Sequence, residues 1–243
     1  MKKTIMTMVL AVLAMAVHAE ESPRWATSLE LGYATKYVGS NALVFDRKAV
    51  TTADFFALHI PSGLYFDAFG VKGHKENGWS SDELDLTVGW GKTLADGLKL
   101  DIGTTLVVLD AGHDTHCPKF FSNHIGLSKA VTKGNHTLTL GISAGFRTEL
   151  EGPNGGIFAA TSAEYRYQLD EKTSLYCGVT IAADDGLGSL SPNQYGFGKA
   201  GVKYQLTKRI GLKAEIDRSI VFRSNNDRGN GETWGVLSMS YAF

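Results

Sequence analysis

Leu138-Thr139-Leu140-Gly141-Ile142-Ser143-Ala144-Gly145-Phe146-Arg147 decides the fold. Apolar residues take every second position, and small or polar residues fill the positions between them. A period of two marks a strand with two unlike faces, because successive side chains leave a strand on opposite sides. The same alternation recurs in both directions along the chain. Trp25, Leu29, Leu31, Tyr33 and Tyr37 share one face, with Ala26, Ser28, Glu30, Gly32 and Ala34 on the other. Leu84, Leu86, Val88 and Trp90 alternate with Glu83, Asp85, Thr87 and Gly89; Ile210, Leu212, Ala214 and Ile216 alternate with Gly211, Lys213, Glu215 and Asp217.

Twelve such segments start near Trp25, Val50, Leu64, Glu83, Leu98, Phe120, His136, Gly156, Thr173, Tyr195, Arg209 and Glu232. Those near Val50, Leu64 and Phe120 alternate least cleanly, so ten strands is the alternative count. The connections alternate too. Short ones (61–63, 94–97, 131–135, 168–172 and 206–208) are interleaved with long ones (38–49, 73–82, 110–119, 148–155, 184–193 and 219–231). Short turns at one end and long loops at the other form the pattern of a closed antiparallel transmembrane β-barrel, with the short turns periplasmic. A soluble barrel or sandwich also alternates, but its polar face must meet water. Here that face is rich in Gly, Ala, Ser and Thr, which suits a lumen. Trp25, Trp90, Tyr165, Tyr167, Tyr204, Tyr241 and Phe243 fall on the apolar face near the short-turn end, the place of an interfacial aromatic girdle.

The termini agree with an exported barrel. Lys2 and Lys3 precede an apolar run over residues 4–17, and Val17-His18-Ala19 offers small residues for cleavage after Ala19. The chain thus divides into a signal peptide, 1–19, and a barrel, 20–243. Without Lys2 and Lys3, 22 basic residues face 25 acidic ones, a net charge of −3 that leaves no basic footprint for nucleic acid. The end of the chain places Leu237, Met239, Tyr241 and a terminal Phe243 on one face. That pattern resembles the signal by which the outer-membrane assembly machinery recognises its barrels.

The opening strand, Leu29-Glu30-Leu31-Gly32-Tyr33-Ala34-Thr35-Lys36-Tyr37-Val38, together with the terminal aromatic, is similar to the TorF-type porins among small Gram-negative outer-membrane barrels. Where that family carries an Arg-Gly-rich segment, this chain has Val38-Gly39-Ser40-Asn41. The resemblance implies a barrel fold and a transport function, and no substrate.

Charged residues on the lumen face are the candidates for function. The acidic ones are Glu30, Asp67, Glu83, Asp85, Asp101, Glu164, Glu215 and Asp217; the basic ones are Lys99, Arg147, Arg166, Lys199, Lys203 and Lys213. Asp67, Glu83, Asp85 and Asp101 fall on the third to fifth strands, and Lys199, Lys203 and Lys213 on the tenth and eleventh. These two groups should face each other across the lumen and filter solutes by charge. The expected function is passive diffusion of small hydrophilic solutes by a monomer in the outer-membrane bilayer, without a cofactor.

Two alternatives stay open. Salt bridges among the same residues could plug the barrel, leaving a structural or surface-interaction protein. A hydrolase would draw on Ser122, Asn123 and His124, of which only Ser122 and His124 can share a face. Asp110, His113, Asp114, His116 and Cys117 carry zinc- or copper-ligating chemistry but match no closed structural site, so a solvated loop is expected. A disulfide between Cys117 and Cys177 would have to join a loop to a mid-strand position.

Overall fold

A computed structural model describes residues 24–38, 44–73, 75–76, 79–80, 82–109, 119–150, 155–185, 193–223 and 231–243. The proposed signal segment and the group from Asp110 to Cys117 lie outside these residues, and with Cys117 so does the disulfide question.

Alternation produces twelve barrel strands: β1 (Trp25–Ala34), β2 (Val50–His59), β3 (Leu64–Lys72), β4 (Glu83–Thr93), β5 (Leu98–Leu109), β6 (Lys119–Lys133), β7 (His136–Glu149), β8 (Gly155–Gln168), β9 (Thr173–Asp184), β10 (Asn193–Gln205), β11 (Ile210–Arg223) and β12 (Thr233–Ala242). Each pairs antiparallel with its neighbour, and β1 pairs with β12 from Ser28–Ala242 to Ala34–Val236, closing the barrel. Phe243 N–H donates to Thr27 C=O at 3.1 Å, so the chain end belongs to the seam. Two short hairpins, Tyr37–Val38 with Val44–Asp46 and Lys75–Glu76 with Trp79–Ser80, lie outside the barrel sheet.

The register assigns the faces. Leu140, Ile142, Ile157, Ile216 and Leu237 are each more than half exposed. Successive rows of such residues wrap the outside, where water would penalise them and hydrocarbon would not. The aromatic residues expected at the short-turn end stand on this outer face. Trp25 packs on His59 at 4.9 Å between ring centroids, and Tyr241 meets Phe243 edge-on at 4.9 Å. Trp90 Nε1 donates to Ser62 C=O at 2.7 Å, and His136 Nδ1 lies 2.6 Å from the Tyr165 hydroxyl. Trp90 and Tyr165 thus each have a polar anchor at the rim. Cys177 is exposed on this same outer face.

Local chemistry makes the short turns. Gly134, at φ 58°, takes the left-handed conformation between Lys133 and Asn135, so the strands around it continue further than the sequence suggests. In the next turn Asp170 Oδ1 accepts from the N–H of Lys172 at 2.7 Å and of Thr173 at 2.9 Å. Those backbone donors hold the Asp170 carboxyl below its ordinary range. Thr207 plays the same part for Arg209 and Ile210. Gln168 and Gln205 close both turns alike, donating Nε2–H to the carbonyls of Asp170 and Thr207 at 2.6 Å.

Arginine at Ile142, midway along β7 on the outer face, is expected to cost about 2–4 kcal/mol of folding stability in lipid. Arginine at the inward neighbour Ser143 is expected to cost less. Urea titration of both variants in phospholipid vesicles, followed by heat-modifiable gel mobility, checks the order; equal losses would reverse the assignment of faces.

Candidate functional site: two charged arcs on the inner wall

The register carries one polar face around the whole barrel. Glu30 stands opposite Asp54 and Ser240, Asp67 opposite Thr87, Glu83 opposite Leu109 and Asp85 opposite Val107. Lys99 and Asp101 stand opposite Ser128 and Gly126, and Arg147 opposite Ser122. Glu164 and Arg166 pair with Thr139 and Thr137, Lys199 with Asp217, Lys203 with Lys213 and Glu215 with Gly201. Every charged residue singled out in the sequence therefore projects to the face opposite the exposed apolar rows. The β2 residue Asp54 joins them. Phe55 and Phe56 follow it on both faces and blur the alternation that would have revealed it.

On β2–β5 these residues form an acidic arc. Asp54 lies beside Asp67, and Glu83 beside Asp85. His124 Nε2 approaches Asp101 Oδ2 at 2.8 Å, with the Tyr65 hydroxyl 3.5 Å from the same nitrogen. His124 therefore braces β6 to β5 and β3. Ser122 shares its face, whereas Asn123 points outward and accepts from Thr104 Oγ1 at 2.7 Å. Tyr65 reaches this position by lying flat over Gly89 and Gly103. A Cβ at Gly103 would stand 2.8 Å from its hydroxyl.

On β8–β11 the wall mixes charges, with Arg166, Lys199, Lys203 and Lys213 set among Glu164, Glu215 and Asp217. Lys199 Nζ reaches Glu164 at 2.6 Å over Gly178 of β9, where a Cβ would meet Lys199 Cε at 3.0 Å. Arg166 approaches the same carboxylate at 3.4 Å. Lys213 pairs with Glu30 at 2.9 Å across β12, where Ser238 also bonds Glu30. Tyr176 lies over Gly201 and donates to Glu215 Oε2 at 2.7 Å. Lys203 and Lys199 stand over its ring, 5.1 and 5.7 Å from the centroid. Lys199–Glu164, Lys213–Glu30 and Tyr176–Glu215 follow the curve of the wall, each passing over a strand that offers Gly or Ser.

Apolar side chains gather inside the barrel at the long-loop end. Ala34, Val50 and Val71 form an apolar cluster against Tyr37, Phe69, Trp234 and Val236, with Phe197 edge-on to Trp234 at 6.5 Å. Tyr37 turns inward and donates its hydroxyl proton to Glu83. The hairpin that carries Tyr37 is tied to the rim by Glu232, which takes Lys36 at 2.7 Å and Arg47 at 3.2 Å. The Lys36 hydrogen bond, aided by Arg47, holds the Glu232 carboxyl below its usual range.

No protein-family model matches the chain, and no curated protein matches it in sequence. Solved structures do match the fold. An outer membrane channel from Pseudomonas putida F1 superposes with a TM-score of 0.62 at 13% identity, covering 93% of this chain and 98% of that one. The beta domain of the Bordetella autotransporter Brka gives 0.57 at 10% identity, over 90% and 99%. The NanC porin gives 0.56 at 12% identity, over 89% and 99%. What these proteins share with this chain is the barrel. Joined to the apolar outer belt and the aromatic rim, it makes the protein an outer-membrane β-barrel, with the short turns and both ends of the described chain on the periplasmic side.

Because its native pKa is lowered, Glu232 strengthens the hairpin contact fully above its ordinary titration range and loses that contribution as pH falls through the lowered value. Glu232→Gln should therefore speed amide exchange at Tyr37 and Val38 at neutral pH. The parent protein should show the same loosening only in acid. Equal exchange in both proteins at neutral pH would remove Glu232 from this role.

Proposed function

We propose that the protein is a passive channel for small hydrophilic solutes, lined by the charged residues of the two arcs. The observation that carries this reading is the direction of the inner contacts. Lys199–Glu164 and Lys213–Glu30 pass over a single strand and lie along the wall, so they leave the axis of the barrel free. The acidic arc on β2–β5 then faces the wall of β8–β11, where three lysines and an arginine offset the acids, and a solute between them meets a transverse field. The similarity to a channel and to a porin supports this reading, as does the TorF-type character of the opening strand and terminal Phe243. Cleavage after Ala19 and delivery by the outer-membrane assembly machinery belong to the same proposal, as does function as a monomer without enzymatic chemistry.

A second reading has its own observation. Tyr37, Phe69 and Trp234 pack at the extracellular end of the barrel beside Val50, which is only 1% exposed. A barrel held shut there would serve the envelope as structure or as a surface for partners.

Single-channel recording of the refolded protein in a planar bilayer separates the two. Stable conductance steps are expected, with a shift towards cation selectivity in Lys199→Glu/Lys203→Glu. Silence from protein shown folded by its gel mobility would favour the closed barrel. Conductance that appears only in Trp234→Ala would place the barrier at the aromatic cluster.

A further inference from the structure

Where β8–β12 and β1 reach the periplasmic end, the wall encloses a polar pocket of about 320 Å³. Four cations line it, Arg166, Lys172, Lys203 and Lys213, together with the carboxylates of Glu30 and Glu171. Arg166 is engaged with Glu164 and Lys213 with Glu30, while Lys172 stands on the exposed turn next to Glu171. Lys203 differs. Among the described residues no carboxylate stands within ion-pair distance of it, and its ammonium rests on the Tyr176 ring. The ring supports that charge from one side without neutralising it. Ser174 stands opposite Lys203 in the ladder, and Ser238 and Ser240 also line the pocket. An ammonium with free donors, beside hydroxyls that both donate and accept, matches a carboxylate attached to a hydroxylated body. The volume lies at the lower end of the range for small-molecule pockets.

We propose that this pocket is a binding subsite for a small singly charged organic carboxylate, with Lys203 as its anchoring residue. Among the described residues Lys203 is the one cation of the inner wall here without a carboxylate partner, and Glu171 offsets Lys172 on the exposed turn, so a second carboxylate group would have to displace Glu164 or Glu30 from its partner. The inference deepens the channel reading, because a solute held briefly at the periplasmic mouth would be one the lumen passes. The subsite itself does not require conduction.

Gluconate is the probe, with sorbitol as its uncharged counterpart of similar size. Calorimetric titration of the folded protein in detergent should show gluconate binding and no sorbitol binding. Lys203→Met should weaken gluconate affinity at least about tenfold, the loss of one charge-assisted contact, and Lys203→Arg should restore most of it. Bilayer recordings with gluconate added on the periplasmic side should show brief blockades that become rarer in Lys203→Met. Equal binding of gluconate and sorbitol, or gluconate affinity unchanged in Lys203→Met, would overturn the subsite even if the channel conducts. Lys203-dependent binding by a barrel that never conducts would keep the subsite and overturn the channel. Gel mobility shows that each variant has folded.

Discussion

A backbone that crosses hydrocarbon has no water for its N–H and C=O groups, so every one of them must find a partner within the protein. In this chain the pairing of β1 with β12 meets that demand. Without it the sheet would present two unpaired edges to lipid, and the apolar outer belt would have no continuous surface to cover. The rest follows from closure. A closed sheet has one inside, so alternate residues of every strand converge there, and side chains distant in sequence become neighbours. Lys213 meets Glu30 only because the last strands return to the first.

Closure also sets the terms on which large inner side chains can be accommodated. A long residue pointing straight inward would fill the lumen, while the same residue laid along the wall needs an adjoining strand without bulk. The chain supplies that relief at Gly89 and Gly103 beneath Tyr65, at Gly201 beneath Tyr176, and at Gly178 beneath Lys199. Charge and shape are thereby linked. The residue that leans also selects its partner, so Tyr65 arrives at His124 and Asp101, and Lys199 at Glu164. An inward glycine in this barrel is a place for a neighbour's side chain rather than a gap in the wall.

The fold was legible because the period of two survives in almost every strand, even where it is weakest. Around Phe120 and Val50 the sequence mixes apolar residues on both faces, yet strands form there, fixed by partners on either side. Among the charged inner residues the same period served well, and it failed at Asp54, where Phe55 and Phe56 put bulk on both faces. Partnerships were not legible. That Lys213 goes to Glu30 while Lys203 rests on an aromatic ring depends on curvature, tilt and the position of small residues on intervening strands. The apolar cluster at the long-loop end was equally hidden. Phe69, Val71 and Trp234 read as ordinary strand residues until the barrel gathers them beside Tyr37, which belongs to a hairpin outside the barrel sheet. The repeated turn chemistry, by contrast, stands openly in Gln168-Leu169-Asp170 and Gln205-Leu206-Thr207, once the role of the glutamine amide is known.

Those two turns bear on how the molecule is put together. Each is held by its own side chains, so β8 with β9 and β10 with β11 can pair as soon as their residues are available, with little loop entropy to overcome. The seam is the opposite case. Its ladder, from Ser28–Ala242 to Ala34–Val236, is half as long as the one from Phe120–Glu149 to Lys133–His136, and it joins the two extremes of the chain. The cylinder is thus a row of self-made hairpins fastened by one short clasp. The last step of its assembly and the first place it would part under lateral tension are the same line.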